Sequence, residues 1–204
     1  MSAELIQIFK SMNQKELNTQ LALQCAPLLT KNKISNLFIV AKSEKNKVIK
    51  LFSKTQISIY VLYETEKKVT FLLYRRQELV CYLQDAPVTA FMLQLGYKKT
   101  GVESILKELK ERYRAHMETG KVFPHELGII LEYPVTDVCA FIENQGKNAL
   151  YVGYWKVYED LPMALAIFRK YDIAKEILLR MVARGVSLNQ ILDIYEAVSF
   201  KEQE

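Results

Sequence analysis

Two runs of alternating residues, 56–63 (QISIYVLY) and 69–75 (VTFLLYR), joined by the polar ETEKK, constrain this chain more than any other feature. Period-two alternation closed by a short polar link is the pattern of a β-hairpin, because successive side chains of a strand point to opposite faces. The first run places Ile57, Ile59, Val61 and Tyr63 on one face and Ser58, Tyr60 and Leu62 on the other. Both faces are largely apolar. A hairpin with one wet face does not need that, so both faces are expected to be covered, one of them by helices.

The neighbouring segments supply those helices. Apolar residues recur at helical spacing in 14–25, 44–53, 77–84, 87–95 and 101–118, and the 101–118 stripe runs through Val102, Ile105, Leu106, Leu109 and Tyr113. A short amphipathic helix is expected at 3–12, and Pro27 is expected to end the helix before it. Residues 34–41 are rich in β-formers, and period two returns over Ala149–Tyr158. The expected fold class is α+β: a small, mainly antiparallel sheet of about four strands, near 35–41, 57–63, 69–75 and 150–157, flanked by helices. Residues 1–171 form one domain in this reading. Residues 172–204 form a C-terminal helical hairpin that packs on the domain or on a partner subunit, which makes a protein partner or a homodimer through these helices the expected association.

At 204 residues the chain buries enough surface to fold without metal or disulfide. Its three cysteines, Cys25, Cys81 and Cys139, are widely spaced and contain no CxxC pair. They read as small buried hydrophobes in a reducing, cytoplasmic setting. The N-terminus lacks the pattern of a signal peptide, and no apolar run reaches the ~18 residues of a membrane span. The first 60 residues carry nine lysines against three acids, and Lys42, Lys45, Lys47, Lys50 and Lys54 are opposed only by Glu44. This basic face is a weak nucleic-acid alternative. It lacks arginine and interleaved aromatics, and a solvated helix face accounts for it better. The C-terminal SLNQILDIYEAV superficially resembles a recognition helix but carries two acids and no Lys or Arg, which phosphates would repel.

Residues 123–158 concentrate the special positions: three of seven glycines, two of five prolines, the sole Trp and one of two histidines. Pro124 and Pro134 sit where helices start. The first places His125 and Glu126 in a first turn, where the helix dipole favours a glutamate anion and a neutral histidine. The second opens Val135–Glu143, with Asp137 in its first turn and Gly146 as its C-terminal glycine. In the strand reading of 149–158, Gly153 between Tyr151 and Trp155 leaves a notch. The notch admits either a planar ligand or a closely packed helix. Gly128 fits none of these roles.

Phe123-Pro124-His125-Glu126-Leu127-Gly128, Tyr133-Pro134, Asp137-Val138, Phe141-Ile142, Gly146-Lys147-Asn148 and Gly153-Tyr154-Trp155-Lys156-Val157-Tyr158 resemble a family of small, functionally uncharacterised cytoplasmic proteins of anaerobic Firmicutes. Cys25-Ala26-Pro27 and Ser35-Asn36-Leu37-Phe38 extend the likeness over roughly residues 20–171. The resemblance implies family membership, not an activity. Relatives often carry cysteines around the glycine before the Trp, and here that neighbourhood reads Tyr151-Val152-Gly153-Tyr154. Any metal or redox work of such cysteines therefore does not carry over.

Phosphate-loop, dinucleotide, nucleophile-elbow and HExxH signatures are all missing. No cofactor, catalytic residue or metal site is assigned. The candidate ligand-binding residues are His125, Glu126, Lys147, Tyr151, Gly153, Trp155, Lys156 and Tyr158. The first expectation is a non-enzymatic binding or regulatory protein, taking a small ligand or protein partner near 123–158. The alternative is a redox-linked or acid–base enzyme using His125 and Glu126, which requires both side chains to serve one substrate position.

Overall fold

The computed structural model describes residue 7, residues 10–98 and residues 101–201. The helix expected at 3–12 falls largely outside the described residues. Strands β1 (Ser35–Ala41), β2 (Ile57–Glu64) and β3 (Lys68–Arg75) form an antiparallel sheet in the order β1-β3-β2. The hairpin strand β3 is central, which explains its composition: with a strand on each edge and helices on each face, its middle has no contact with water.

The alternation of β3 divides the molecule into two cores. Val69, Phe71 and Leu73 face one side, with Phe38, Leu21, Leu28 and Phe52. Leu72 and Tyr74 face the other, with Leu79, Leu106, Leu109 and Ile130. Phe71, Leu72 and Leu73 are completely buried, and each such side chain stabilises the fold by about 1.5–3 kcal/mol. Helices α1 (Leu17–Gln24), α2 (Ala26–Leu29) and α3 (Lys45–Phe52) cover the first face. Helices α4 (Arg76–Leu83), α5 (Ala86–Gln94), α6 (Val102–Thr119), α7 (Glu126–Ile130) and α8 (Val135–Glu143) cover the second. Both faces of the sheet are thus covered by helices, one face more than the sequence implied.

Several local expectations are corrected. β2 pairs Val61 with Phe71 but Tyr63 with Thr70, so Leu62 is an extra residue in a β-bulge. The bulge carries Tyr63 away from the face of Ile59 and onto the α6 side, where its ring meets Tyr113 at 6.1 Å. α1 ends at Gln24, ahead of Pro27 as expected, but Pro27 also lies in the first turn of a further helix, α2, where its missing N–H costs no helical bond. Of the three thiols, Cys25 is buried, Cys139 partly so and Cys81 exposed.

The fourth strand does not join the sheet. Residues 149–158 instead form a separate two-stranded hairpin of β4 (Tyr151–Val152) and β5 (Lys156–Val157). Tyr151 pairs with Val157 and Val152 with Lys156, and the chain reverses over Gly153-Tyr154-Trp155, where Gly153 N–H donates to Trp155 O at 3.0 Å. The hairpin packs on α9 (Leu161–Ala183), burying Trp155 and Val157 against Ala164, Phe168 and Tyr171. Asp160 caps α9 by accepting from Met163 N–H at 3.0 Å, with Pro162 in the first turn. α9 runs unbroken past residue 171 and sends Ala174, Leu178 and Leu179 into the first core, joined there by Leu188, Ile191 and Leu192 of α10 (Leu188–Lys201). Among the described residues no helix is long and apolar enough to cross a membrane.

Candidate functional site

The short helix α7, the longer α8 and the β4–β5 hairpin surround a cavity of about 280 Å³. Its walls are largely aromatic: Phe123, Tyr133, Phe141 and Trp155, with Leu37 of β1 behind them. Gly128 explains how α7 and α8 come so close. A Cβ placed there would lie 3.0 Å from Val138 Cγ2 and 3.2 Å from Tyr133 Cδ2. A side chain would push α8 and the Tyr133 wall outward, so Gly128 sets the cavity's shape.

The hairpin is attached to α8 by one buried carboxylate. Asp137 Oδ2 accepts from Trp155 Nε1 at 2.7 Å, and Oδ1 accepts from the backbone N–H of Tyr158 at 2.8 Å and of Glu159 at 3.3 Å. Asp137 is buried and borders the cavity, but three donors engage its oxygens. Tyr133 stacks on Trp155 at 5.4 Å, and Phe168 meets Trp155 edge-on at 4.4 Å. The indole is held by its nitrogen, one face contact and one edge contact.

His125 and Lys156, both on this cavity, make no ion pair among the described residues. His125 is the N-cap residue of α7, flanked by Phe123 at 5.8 Å and Phe141 at 5.5 Å. Neither of its ring nitrogens has a hydrogen-bond partner among the described residues. Burial lowers its pKa below the usual histidine value, and the nearby Glu126 carboxylate offsets part of that. Lys156 donates from Nζ to Gly146 O at 2.6 Å and lies 5.6 Å from the centroid of Phe141. Among the described residues no carboxylate stands within 4.0 Å of this ammonium.

Of the eight candidates, His125, Trp155 and Lys156 meet on the one cavity. Glu126 does not. It is 2% exposed, and its Oε1 accepts from Tyr97 Oη at 2.9 Å and Arg112 Nη1 at 3.2 Å. It does border, with His125, a second and more open cavity of about 570 Å³ beside Arg112 and Lys121. Lys147 is exposed in the turn after α8, and Tyr151 is 46% exposed. Tyr158 contributes its backbone N–H to Asp137, while its hydroxyl is buried without a hydrogen-bond partner.

The notch at Gly153 is filled from within. A Cβ there would lie 2.2 Å from Phe168 Cε2, so Phe168 of α9 occupies the space beside the glycine. The two histidines approach one ring rather than one ion: His116 meets Phe123 edge-on at 5.2 Å, and its Nδ1 lies 2.6 Å from Lys121 O. Among the described residues no group of three His, Cys, Asp or Glu is placed to hold a metal ion.

Sequence reading missed Tyr133, Phe141 and Asp137 as site residues. All three stand in the resemblance motifs, and Asp137 was visible also as a first-turn acid. Behind Tyr133 lies a further buried group. Lys33 Nζ stands 5.3 Å from the Tyr133 ring and 5.9 Å from Tyr171, and burial lowers its pKa to about 8 against the attraction of Glu132 and Cys25.

No curated protein and no solved structure matches the chain. A family profile described as "Protein of unknown function (DUF3793)" matches residues 21–192, a span that contains the sheet, helices α2 to α9 and every wall of the cavity. The chain therefore belongs to the DUF3793 family of proteins of unknown function.

Proposed function

We propose that this is a non-catalytic binding protein that receives a small, largely apolar molecule in the cavity between α7, α8 and the β4–β5 hairpin. The observation that carries the reading is the cavity itself. A space of about 280 Å³ with four aromatic rings in its walls is left open between these elements, and concave, mostly apolar sites with a few polar groups are the usual form of small-molecule pockets. Its walls are held in place without a ligand, by Asp137, Gly128 and Phe168.

The enzymatic alternative is less well supported. Glu126 would have to release Arg112 and Tyr97 before exchanging a proton with a substrate. The nucleic-acid alternative loses charge to ion pairing: Lys42 and Lys45 both pair with Glu64, and Lys47 pairs with Glu44 at 3.0 Å.

Trp155 is the only tryptophan, so its fluorescence reports this site alone. Titration with 4-tert-butylbenzyl alcohol, a neutral ligand of suitable size, is expected to give a saturable change in emission. An affinity on the order of 0.1–1 mM is expected for a ligand of about twelve heavy atoms. Leu37→Phe, which adds a ring to the back wall, is expected to weaken that binding at least tenfold. A linear response, or one that Leu37→Phe leaves unchanged, refutes the proposal.

A further inference from the structure

We infer that the ligand of this pocket is an organic acid, its apolar body between Tyr133, Phe141 and Trp155 and its anionic group on Lys156, with His125 beside it; this rests on the binding reading above. Polar groups stand on five of the residues that line the cavity: His125, Tyr133, Asp137, Trp155 and Lys156. Asp137 offers a ligand no open acceptor, because both its oxygens are engaged by Trp155 Nε1 and by the backbone N–H groups of Tyr158 and Glu159. The Trp155 N–H is engaged by the same carboxylate.

Lys156 remains. An ammonium has three donors, and the structure shows one of them on Gly146 O. The side chain is not extended into solvent. Its head is turned back beside the Phe141 ring, at the edge of the cavity, and no carboxylate neutralises it. Holding a lysine in one such arrangement opposes its rotamer entropy. The result is a positive charge with no ionic partner within 4.0 Å among the described residues, next to an apolar space. His125 flanks the same Phe141 ring, and a neutral imidazole offers one donor and one acceptor. An anion satisfies this set; a cation does not, and an alcohol satisfies it only in part. Hydrogen bonds between ionised partners are roughly twice as strong as neutral ones. An acid should therefore bind about tenfold or more tightly than its isosteric alcohol.

The test compares three ligands of one shape: 4-tert-butylbenzoate, 4-tert-butylbenzyl alcohol and 4-tert-butylbenzylamine, each titrated against Trp155 fluorescence at pH 7.5. The expected order is acid, then alcohol, then amine, with the acid at least tenfold tighter than the alcohol. Lys156→Met should weaken the acid far more than the alcohol and so abolish the acid's advantage, and Lys156→Arg should retain most of it. A measurement on the wild-type protein stands if the variants fail to fold: raising salt from 0.05 to 0.5 M should weaken the acid severalfold and leave the alcohol unchanged. If the alcohol binds and the acid binds no better, the inference is overturned and the binding reading survives. An acid preference that persists in Lys156→Met, or that salt leaves untouched, overturns it as well. If none of the three binds, the binding reading falls and this inference with it.

Discussion

Replacing Gly153 by alanine should be unusually costly for a substitution on an exposed hairpin. The backbone φ of Gly153 is not in the left-handed region, so the effect is purely steric. The new Cβ would fall 2.2 Å from Phe168 Cε2, 2.6 Å from Cδ2 and 2.9 Å from Cζ. Ordinary contact begins at 3.4 Å, so ring and hairpin must separate by about 1.2 Å. Phe168 has little room to withdraw: its ring lies 4.4 Å from Trp155, 5.5 Å from Tyr154 and 6.1 Å from Tyr151. Overpacking of this kind costs about 1–3 kcal/mol, and the strained Trp155–Phe168 pair adds part of the ~0.5–1.5 kcal/mol an aromatic contact contributes. The expected total is about 2–4 kcal/mol, read as a lowered urea midpoint by far-ultraviolet circular dichroism. Phe168→Leu removes the clashing ring edge. The double variant should therefore be more stable than the sum of the two single effects allows, by at least about 1 kcal/mol. A Gly153→Ala protein within about 0.5 kcal/mol of wild type, or strictly additive effects, would show that the glycine is not there to admit Phe168.

Two further substitutions test the supports of the cavity. Asp137→Ala removes the acceptor of two short bonds and one longer one, each short bond to a charged group being worth about 1.5–3 kcal/mol, so a loss of about 3–5 kcal/mol is expected by the same urea assay; a loss below about 1 kcal/mol would mean that the hairpin is held by other contacts. Lys33 behaves oppositely. Burial lowers its pKa from 10.5 to about 8, so between those values the unfolded chain binds more proton and stability rises with pH, while below pH 8 the full penalty of about 3 kcal/mol applies. Lys33→Met should therefore equal or exceed wild-type stability at pH 7, and that advantage should shrink by about 2 kcal/mol at pH 10; an advantage independent of pH refutes the buried-cation account.

The three-stranded sheet was legible because burial on both faces leaves a mark in the residues: Val69 to Arg75 contains no side chain that needs water on either side except its last. The bulge at Leu62 was not legible. Ile59, Val61 and Tyr63 continue an apolar alternation in residue type, and nothing in those letters records that Tyr63 pairs with Thr70. The misreading of 149–158 has a related cause. Two short antiparallel strands around a three-residue turn also alternate, and Gly153-Tyr154 is not one of the Asn-Gly or Asp-Gly dipeptides that announce a hairpin. The notch at Gly153 was visible, but its occupant stands on α9, fifteen positions further along the chain. Residue type could place His125, Trp155 and Lys156 near special backbone positions. It could not show that Glu126, next to His125, is held inward by Arg112 and Tyr97.

That difference between His125 and Glu126 is what separates the candidate site from its surroundings. Ionisable side chains are common in this layer, and most of them are matched: Glu126 with Arg112, Arg112 also with Glu108, and Asp137 with the indole and two backbone donors. Matched groups of this kind fix the positions of α6, α7, α8 and the hairpin. Lys156 and His125 lie among them without ionic partners, and both face an opening that no side chain fills. Removing a matched group should lower stability and shift the whole layer. Removing Lys156 costs the one bond to Gly146 O and should change chiefly which molecules the opening prefers. If the proposed reading holds, stability and ligand preference should be separable by mutation at adjacent positions: Asp137, which anchors the Trp155 indole, should govern stability, and Lys156 should govern preference.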